Sequence, residues 1–385
     1  MWPERRVPQK LNRSFRRRIL LSVVNFSHLE RMTDDTGLLE HAFGCIPRRG
    51  EGYTTDDNVR ALWASAEWIR FLLAEGDDYS LQQAKQLSRL TDVYLAFTNW
   101  ALQEDGTLHN NYAYDRQLET ETPSDDCLGR TLWGCAAACD SLVDADRKFV
   151  AAALFAEAFQ KIDTLKHLRG IASALAASCR MATSPAKDLI APLSGKLFDV
   201  IRKFEQKLIL AYKQNSSPNW HWFQPQMSYS NGLLPWALLQ SYRITGRAEA
   251  LQIGREALDF LIGKMTAPAG NLRPIGNESW CDPQQQSQWD QQPVEILALA
   301  MAAEAAVSID SRYLSVIGKC RDWFSGDNDL HVPVADPEDG SCCDGLRESG
   351  VNRNQGAEST LSYLLTELIA ERVERKSKER VKVGE

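Results

Sequence analysis

Two segments of the chain combine paired aspartates with an arginine and a Leu-Trp pair. The first is YTTDDNVRALW, residues 53–63, and the second is TPSDDCLGRTLW, residues 122–133. In each, a hydroxylated residue precedes the aspartates and an apolar helical pattern follows, which is the signature of a helix N-terminus. The pairs Asp56–Asp57 and Asp125–Asp126 are therefore predicted at the beginnings of two helices. There they either serve chemistry as acid, base or ligand acceptor, or only cap the helix and pair with the nearby arginine.

Carboxylates at helix starts are the most direct candidates for catalysis. An inverting glycoside hydrolase needs a protonated carboxyl group at the leaving oxygen and a carboxylate that holds water on the opposite face, about 6.5–9.5 Å away. Carboxyl groups on different helices of a ring can supply that separation. We predict the catalytic residues among Asp57, Asp126, Asp290 and Glu358, with acid and base unassigned. Glu278 and Glu295 follow them, and Glu295, one turn inside its predicted helix, can equally be a buried and paired carboxyl.

The loops before several predicted helices are rich in Trp, Tyr, Asn, Gln and Asp. Carbohydrates suit this mixture, because their C–H faces stack on aromatic rings and their hydroxyls bond to planar donors and acceptors. Core packing explains each tryptophan taken alone, and helix capping explains the amide pairs. The predicted substrate-binding residues are Arg60, Asn110, Tyr112, Tyr114, Arg130, Trp220, Trp222, Tyr229, Trp280, Trp289, Gln291, Gln292, Asp344, Asn354 and Gln355.

Composition and charge exclude several classes of partner. The 385-residue chain has a formal net charge of −7, which offers no general attraction to nucleic acid or to anionic membranes. Hydrophobic residues make up 44% and charged residues 25%, typical of a globular protein with a substantial core. No phosphate loop, zinc-ligand spacing or dinucleotide fingerprint is present in the sequence. We therefore predict no cofactor and no metal site, with a calcium ion held by loop carbonyl groups left open.

The cysteines and the N-terminus indicate a cytoplasmic protein. The nine cysteines are an odd number without metal-ligand spacing, which is typical of free thiols in a reducing compartment. The N-terminal segment is basic, but its apolar stretch over residues 19–26 is interrupted by Ser22 and Asn25 and lacks a small-residue cleavage pattern. No signal peptide and no membrane span is predicted.

Helical periodicity dominates the chain, and no convincing alternating strand pattern is present. The pattern predicts twelve helices. Every second helix follows a polar, aromatic loop, which is shorter before the sixth. These helices are predicted to begin near residues 57, 126, 168, 232, 291 and 355. Their mean spacing of about 60 residues is typical of a repeating helical hairpin.

Six such hairpins predict an all-α fold, a closed (α/α)6 toroid with inner and outer helix rings. The elaborated loops then meet in a funnel at one end of the inner helices. An open α-solenoid also explains the hairpins, but not the collection of acidic and aromatic residues at one end of alternate helices. The predicted organisation is a loose basic arm over residues 1–13, one toroid domain over 14–372, and a charged, frayed C-terminal tail over 373–385.

Five loop motifs together resemble a known bacterial family. They read TTDDNVRAL, LHNNYAYDRQ with SDDCLGRTLW, WHWFQPQMSYSNGLLPWALL, QWDQQPVE and CCDGLRESGVNRNQGAESTL. They resemble the (α/α)6-toroid domain found fused to, or encoded near, glycosyltransferases and mannoside phosphorylases. The chain is more distantly similar to the six-hairpin glycosidase superfamily. The resemblance covers about Tyr53 to Leu361, and it implies the toroid fold, a carbohydrate substrate and a functional association with a glycosyltransferase or glycoside phosphorylase.

The chain departs from this family at four positions. Family members usually have Pro and Glu where this chain has His221 and Gln224, Tyr where it has Cys343, and in some members an acid where it has Ser230. The absence of a carboxylate at the second and fourth positions argues against a catalytic role there. The departures therefore favour the four carboxylates named above.

Three functions remain in competition at this point. The first is an inverting glycoside hydrolase that acts on an oligosaccharide or glycoconjugate. The second is a sugar epimerase or isomerase on the same scaffold, for which a pair of histidines is needed; only His109 and His221 lie in elaborated loops. The third is a glycan-binding or partner-docking domain without catalysis. The identity of the sugar and the oligomeric state do not follow from the sequence.

Overall fold

The computed structural model describes residues 24–121 and 124–383. The predicted arm over residues 1–13, the predicted start of the first helix at Ser14 and Thr122 of the second acidic motif lie outside the described residues. In the described part the first helix begins at Ser27, and residues 24–26 before it are not helical.

Twelve α-helices are present in the described residues, and every second one begins within two residues of its predicted start. They are α1 (Ser27–Met32), α2 (Thr55–Glu75), α3 (Asp78–Ala101), α4 (Asp125–Ser141), α5 (Ala145–Phe159), α6 (Leu168–Thr183), α7 (Ser194–Asn215), α8 (Leu233–Thr245), α9 (Ala248–Lys264), α10 (Pro293–Val307), α11 (Tyr313–Phe324) and α12 (Ala357–Val383). Short 3-10 helices lie at Arg49–Glu51, Ile162–Thr164 and Lys187–Leu193.

The even-numbered helices form a closed inner ring. Helix α2 packs on α4, and the contacts continue through α6, α8, α10 and α12 back to α2. Each odd-numbered helix packs outside the ring against an even-numbered neighbour, from α3 on α2 around to α1 on α12. This arrangement is the (α/α)6 toroid that the sequence predicted.

Local signals in the sequence explain where the helices begin and end. The Thr54 side chain accepts a hydrogen bond from the N–H of Asp57 at the start of α2, and Ser124 does the same for Asp126 at the start of α4. These contacts satisfy amide groups that have no partner within the helix. Gly76 ends α2 in the left-handed conformation, with φ of 74°, which a glycine adopts without steric cost.

Small residues let the inner helices approach closely. A Cβ on Gly170 of α6 would lie 2.5 Å from the carbonyl oxygen of Asp125, and one on Gly129 of α4 would lie 2.7 Å from that of Gly170. Helix α10, with the sequence PVEILALAMAAEAAV, is apolar on all sides because it is covered by other helices all around. The ring therefore holds a dense apolar core that fixes the positions of the helix starts.

Four two-stranded antiparallel sheets in the loops were not predicted. Most of their strands have two residues, too few to show an alternating pattern in a sequence. They are β1 (Ala42–Phe43) with β2 (Ile46–Pro47), β3 (Tyr53–Thr54) with β4 (Asn111–Tyr112), β5 (Ala335–Asp336) with β6 (Ser341–Cys342), and β7 (Gly345–Arg347) with β8 (Gly350–Asn352).

The last helix is longer than predicted. Helix α12 continues to Val383, so the segment after Arg372 is helical and not a frayed tail over its described length. Arg372 and Arg375 explain the continuation, because the first bonds to Glu67 at 2.5 Å and the second to Glu75 at 2.9 Å, both on α2.

Candidate functional site

A polar cavity of about 360 Å³ lies where the inner helices α2, α4 and α12 begin. We call it the funnel. Six carboxyl groups and three arginines line it, so its charge is negative. Its charged residues are Glu40, Asp56, Asp57, Asp290, Asp344, Glu358, Arg60, Arg130 and Arg347, and its other polar residues include His41, Asn110, Asn111, Gln292, Asn352 and Ser359.

Arg60 joins two carboxylates at the funnel wall. Its Nη1 donates to Oδ1 of Asp57 at 2.8 Å, and its Nη2 donates to Oε2 of Glu358 at 2.7 Å. Asp57 is buried, and its other oxygen accepts a bond from the Thr54 hydroxyl at 3.0 Å. Burial raises the pKa of Asp57, while Arg60 acts in the opposite direction. Both oxygens of Asp57 are thus occupied, whereas Oε1 of Glu358 has no hydrogen-bond partner among the described residues.

Arg130 makes the corresponding connection at the start of α4. It bonds to Asp56, and its Nη2 donates to Oδ2 of Asp126 at 3.2 Å. The hydroxyl of Tyr229 donates to the same Asp126 oxygen at 2.8 Å. Asn110 supports the arrangement from the facing loop, because its Oδ1 accepts from the N–H of Asp56 at 3.0 Å. Asp126 and Tyr229 therefore hold Arg130 in place without lining the funnel themselves.

Glu40 is a funnel carboxyl that the sequence analysis missed. Burial raises its pKa to about 8, and the charges of Asp57 and Glu358 add to the effect. Glu40 is therefore a neutral, proton-carrying acid at pH 7. It makes no side-chain hydrogen bond within the described residues, and Nε2 of His41 lies 3.5 Å from its Oε1. A carboxyl group in this state can give a proton to a ligand.

His41 and Asp344 meet through Asn354. The Nδ2 of Asn354 lies 3.0 Å from Nδ1 of His41 and also donates to Asp344. Its Oδ1 accepts from the N–H of Ala42 at 2.8 Å, which fixes the amide orientation. Burial raises the pKa of Asp344 to about 6. Asp344 thus lines the funnel as predicted, while Asn354 acts on the funnel through its neighbours.

Asp290 reaches the funnel from the loop before α10. Its backbone is left-handed, with φ of 58°, a conformation that aspartate tolerates better than most residues. Its Oδ1 lies 3.7 Å from Nε of Arg347, and no closer side-chain partner occurs among the described residues. Asp290 is therefore paired only loosely, with Arg347, and lines the cavity.

Most predicted aromatic residues lie away from the funnel. Trp222 is fully buried, and Trp220 is buried against Phe260 and donates from Nε1 to the carbonyl of Gln224 at 2.8 Å. In this conformation both rings pack the core, which is the alternative that the sequence left open. Tyr112 is also buried, against Trp100.

The remaining predicted residues outside the funnel lie in loops or in the core. Tyr114 is exposed and stacks on Tyr53 with a ring separation of 6.2 Å. Gln291 is buried and donates to Asp329 at 2.8 Å. Trp280, Trp289 and Gln355 are partly buried and do not line the funnel.

The predicted residues that do line the funnel are Asp57, Arg60, Asn110, Arg130, Asp290, Gln292, Asp344 and Glu358. Glu40, His41 and Arg347 also line it and were not predicted from the sequence. Glu40 and His41 belong to the loop before α2, which has no counterpart motif earlier in the chain. Only the repeat could have indicated them. The other long loops before even-numbered helices are polar, so the loop before α2 could have been expected to contribute polar residues to the same end of the ring.

Glu295 and Glu278 have different surroundings. Glu295 is buried and accepts from Nδ2 of Asn231 at 2.9 Å, and burial raises its pKa to about 7. Glu295 is thus a buried carboxyl group paired with Asn231, which is one of the two possibilities that its position in the sequence allowed. Glu278 is exposed and does not line the funnel.

In the part of the chain that the structure describes, no group of three or more His, Cys, Asp or Glu side chains is arranged to hold a metal ion. None of the described helices is both long and apolar enough to cross a membrane.

Comparison by sequence finds no matching family model and no matching curated protein. Comparison of structures finds clear similarity. A cellobiose 2-epimerase from Bacillus thermoamylovorans aligns with a TM-score of 0.68 at 12% identity, over 94% of this chain and 98% of that one. A D-mannose isomerase aligns with a TM-score of 0.63 at 11% identity, over 96% and 100% of the two chains. A GH76 α-mannanase from Bacteroides thetaiotaomicron aligns with a TM-score of 0.61 at 11% identity, over 91% and 95%.

The fold of this chain is therefore the same as that of these three proteins, and the similarity extends over at least 91% of the chain. At this level of identity the comparison establishes the fold alone. The chemistry has to be argued from the funnel.

Proposed function

We propose that the protein is a carbohydrate-active enzyme, an inverting glycoside hydrolase whose reaction takes place in the funnel. The proposal rests on two carboxyl groups in one cavity: Glu40, whose pKa burial raises to about 8, and Glu358, whose Oε1 has no hydrogen-bond partner among the described residues. Hydrolysis with inversion requires this combination of a proton donor and a base. The similar structures are those of an epimerase, an isomerase and a mannanase, which supports a sugar as the substrate class.

The roles follow from which atoms are free. Glu40 gives its proton to the glycosidic oxygen as the bond from that oxygen to the anomeric carbon breaks. A water molecule attacks the anomeric carbon from the opposite face and transfers a proton to Oε1 of Glu358. Both products leave with complete hydroxyl groups, and the two carboxyl groups have exchanged one proton. Solvent then restores the starting protonation states.

The other acidic residues predicted for catalysis have different roles in this proposal. Asp57 and Asp126 are held in ion pairs with Arg60 and Arg130, so they position these arginines and the loops around them. The arginines and the amides of Asn110 and its neighbours are suited to bind sugar hydroxyls. Asp290, which is paired only loosely with Arg347, is the competing candidate for the base.

The first test is hydrolysis itself, followed by proton NMR with manno-, gluco- and galacto-oligosaccharides. The anomer that forms first decides between inversion and retention. Glu40→Gln is expected to lower turnover of an oligosaccharide by at least about 100-fold. The same variant should lose far less activity on an aryl glycoside with a strongly acidic phenol as leaving group, because such a group departs without protonation.

The base is tested by Glu358→Gln and Asp290→Asn side by side. We expect the Glu358 variant to lose turnover on both kinds of substrate, because neither leaving group replaces the base. Glu278→Gln is the matched control, since its carboxyl group is exposed outside the funnel. If the Asp290 variant loses turnover and the Glu358 variant keeps full activity, the assignment of Glu358 as the base is wrong. Full activity in all of them removes the funnel as the active site.

One observation favours epimerisation or isomerisation as a second candidate. His41 lies beside Glu40 in the funnel, and two of the three similar structures described above are those of an epimerase and an isomerase. Within the described residues His41 is the single histidine that lines the cavity, whereas proton transfer by a histidine pair needs two. Deuterium from solvent appearing at a sugar carbon, without new reducing ends, decides for this candidate.

We further propose a cytoplasmic enzyme that works beside a glycosyltransferase or a glycoside phosphorylase. The nine cysteines, all free in the structure, support a reducing compartment. The five loop motifs given in the sequence analysis support the association. Co-purification of the tagged 385-residue chain with such an enzyme tests the association.

If sugars bind to the protein but no product appears, the protein is instead a glycan-binding domain without turnover.

A further inference from the structure

A second cavity, of about 630 Å³, lies at the opposite end of the ring. It is bounded by the C-terminal halves of the inner helices, and we call it the vestibule. Its volume is within the range of sites for small organic molecules and exceeds that of the funnel. Nothing in the proposed reaction uses it.

Three tryptophans lie between the funnel and the vestibule. Trp133 contacts Trp63 and Trp236 edge to face, with ring centroids 5.6 and 4.7 Å apart. All three line the vestibule and also a small inner cavity of about 50 Å³ beneath Arg60 and Arg130. The vestibule therefore has an aromatic floor and is separate from the funnel.

The vestibule carries the opposite charge to the funnel. Six cationic side chains and four carboxylates line it, a difference of two positive charges. The cationic residues are Arg70, Arg180, Arg243, Arg372, Arg375 and Lys376.

The carboxylates of the vestibule are already occupied by arginines. Glu67 accepts from Arg180 and Arg372, each at 2.5 Å. Burial opposes its ionisation, but these two arginines lower its pKa to about 2. Asp140 accepts from Arg180 at 3.1 Å, and Glu304 accepts from Arg372 at 3.0 Å. The fourth carboxylate, Glu379, accepts from Arg375 at 3.1 Å, so each of the four acids is paired with an arginine.

Two cations at the cavity wall have no carboxylate partner among the described residues. Arg243 is held by a bond from Nη2 to the carbonyl of Ala305 at 2.9 Å, while its Nη1 has only the side chain of Gln240 at 3.4 Å. Lys376 is exposed and makes no ion pair. The negative ends of the helix dipoles explain why cations gather at this end of the ring. They do not explain why donors outnumber acceptors around a cavity with room for a molecule.

We propose that the vestibule is a second binding site, and that its ligand is a sugar phosphate. The phosphate oxygens are acceptors for the surplus donors of Arg243 and Lys376. The sugar accounts for the volume beyond a phosphate group, and it lies against the aromatic floor beside Arg180, whose Cζ is 5.1 Å from the centroid of the Trp133 ring. This inference does not rest on the proposed hydrolysis, because it concerns the other end of the ring.

The test is titration of the full-length protein with glucose 6-phosphate, inorganic phosphate and glucose, followed by calorimetry and by 31P NMR at constant ionic strength. We expect the wild type to bind glucose 6-phosphate more tightly than either of its parts. Arg243→Gln and Lys376→Gln are each expected to weaken binding about tenfold, the usual effect of losing a charge-assisted hydrogen bond. Lys378→Gln on the same helix is the control, because Lys378 does not line the cavity.

The Lys376 variant protects the test against a folding defect, since that side chain is exposed and unpaired. Equal affinity in the wild type and both variants overturns the site, and so does the absence of binding at millimolar concentration. Equal affinity for inorganic phosphate and the sugar ester overturns the assignment of the sugar. If phosphate inhibits glycoside hydrolysis and the two variants bind it as tightly as the wild type does, the anion binds elsewhere. That result also overturns the proposal.

Discussion

Arg60 on α2 donates to Glu358 on α12 at 2.7 Å, across a separation of 298 residues in sequence. These two helices are the first and last of the inner ring, so the contact lies where the toroid closes. The same guanidinium binds Asp57, one turn earlier on its own helix. One side chain therefore links the closure of the ring to two of the funnel carboxylates.

Replacing Arg60 by methionine should lower the free energy of unfolding by about 3 kcal/mol at pH 8, because it leaves the buried Asp57 carboxylate without its counter-charge. The loss should be smaller at pH 5, where burial favours the protonated form of Asp57. Urea unfolding at the two pH values measures both. Arg48→Met is the control, since that arginine forms an exposed pair with Glu51 and should change the stability by less than about 0.5 kcal/mol. Equal losses in the two variants contradict the structural role of Arg60.

The Glu40 carboxyl should make stability fall as pH rises. Burial raises its pKa in the folded state to about 8, above the ordinary value of 4.5, so the folded protein binds the extra proton between these values and the unfolded chain does not. The stability contributed by the neutral form is fully present below about pH 4.5 and is lost as pH rises through 8. Glu40→Gln removes this dependence, so the variant should be more stable than the wild type at pH 9, by about 1 kcal/mol after solvent screening. A difference between the two proteins that does not change from pH 5 to pH 9 contradicts the burial of Glu40.

Gly170→Ala should destabilise the ring by about 1–3 kcal/mol or more, because the new methyl group would lie 2.5 Å from the Asp125 carbonyl oxygen. Gly263→Ala on the outer helix α9 is the matched control. A Cβ there meets nothing within 4 Å, so the higher helix propensity of alanine should stabilise the protein by about 0.5–1 kcal/mol. Thermal unfolding of both variants checks the opposite signs, and destabilisation of similar size in both argues against close packing at Gly170.

Trp222→Ala tests whether this tryptophan packs the core or binds sugar. The ring is fully buried, so its removal should lower the free energy of unfolding by about 3–5 kcal/mol. The KM of the folded variant for an oligosaccharide substrate should stay within about twofold of the wild-type value, since a residue that only packs the core makes no contact with the substrate. Tyr114→Ala, at an exposed ring, should leave stability nearly unchanged. A large rise in KM with unchanged stability in the Trp222 variant restores its role as a sugar platform.

The sequence predicted the helices well because their signals are local. Thr54 and Ser124 cap α2 and α4 with contacts to residues two or three positions away, and the apolar periodicity of each helix lies within its own segment. The alternation of plain and elaborated loops then indicated which helices are inner ones. The two-residue strands were missed because such short segments show no alternating pattern in the sequence. The end of α12 was missed because it depends on ion pairs with α2, which is far away in the chain.

The funnel was predicted only in part. Asp57, Asp290 and Glu358 were found because they stand at or near helix starts, where the repeat brings equivalent positions together. Glu40 was missed because nothing near it in the chain distinguishes it from a surface acid. Its character comes from burial beside two other carboxylates, and one of them, Glu358, belongs to the last helix.

By itself the sequence determined the number and starts of the inner helices, since capping and periodicity act over a few residues. It also determined that acidic side chains collect at one end of the ring. Only the tertiary structure decided which acids keep a free oxygen, which tryptophans are buried, and that arginines surround a second cavity at the other end. Those properties depend on contacts between residues far apart in the chain, because burial and charge pairing are set by whatever side chains the closed ring brings together.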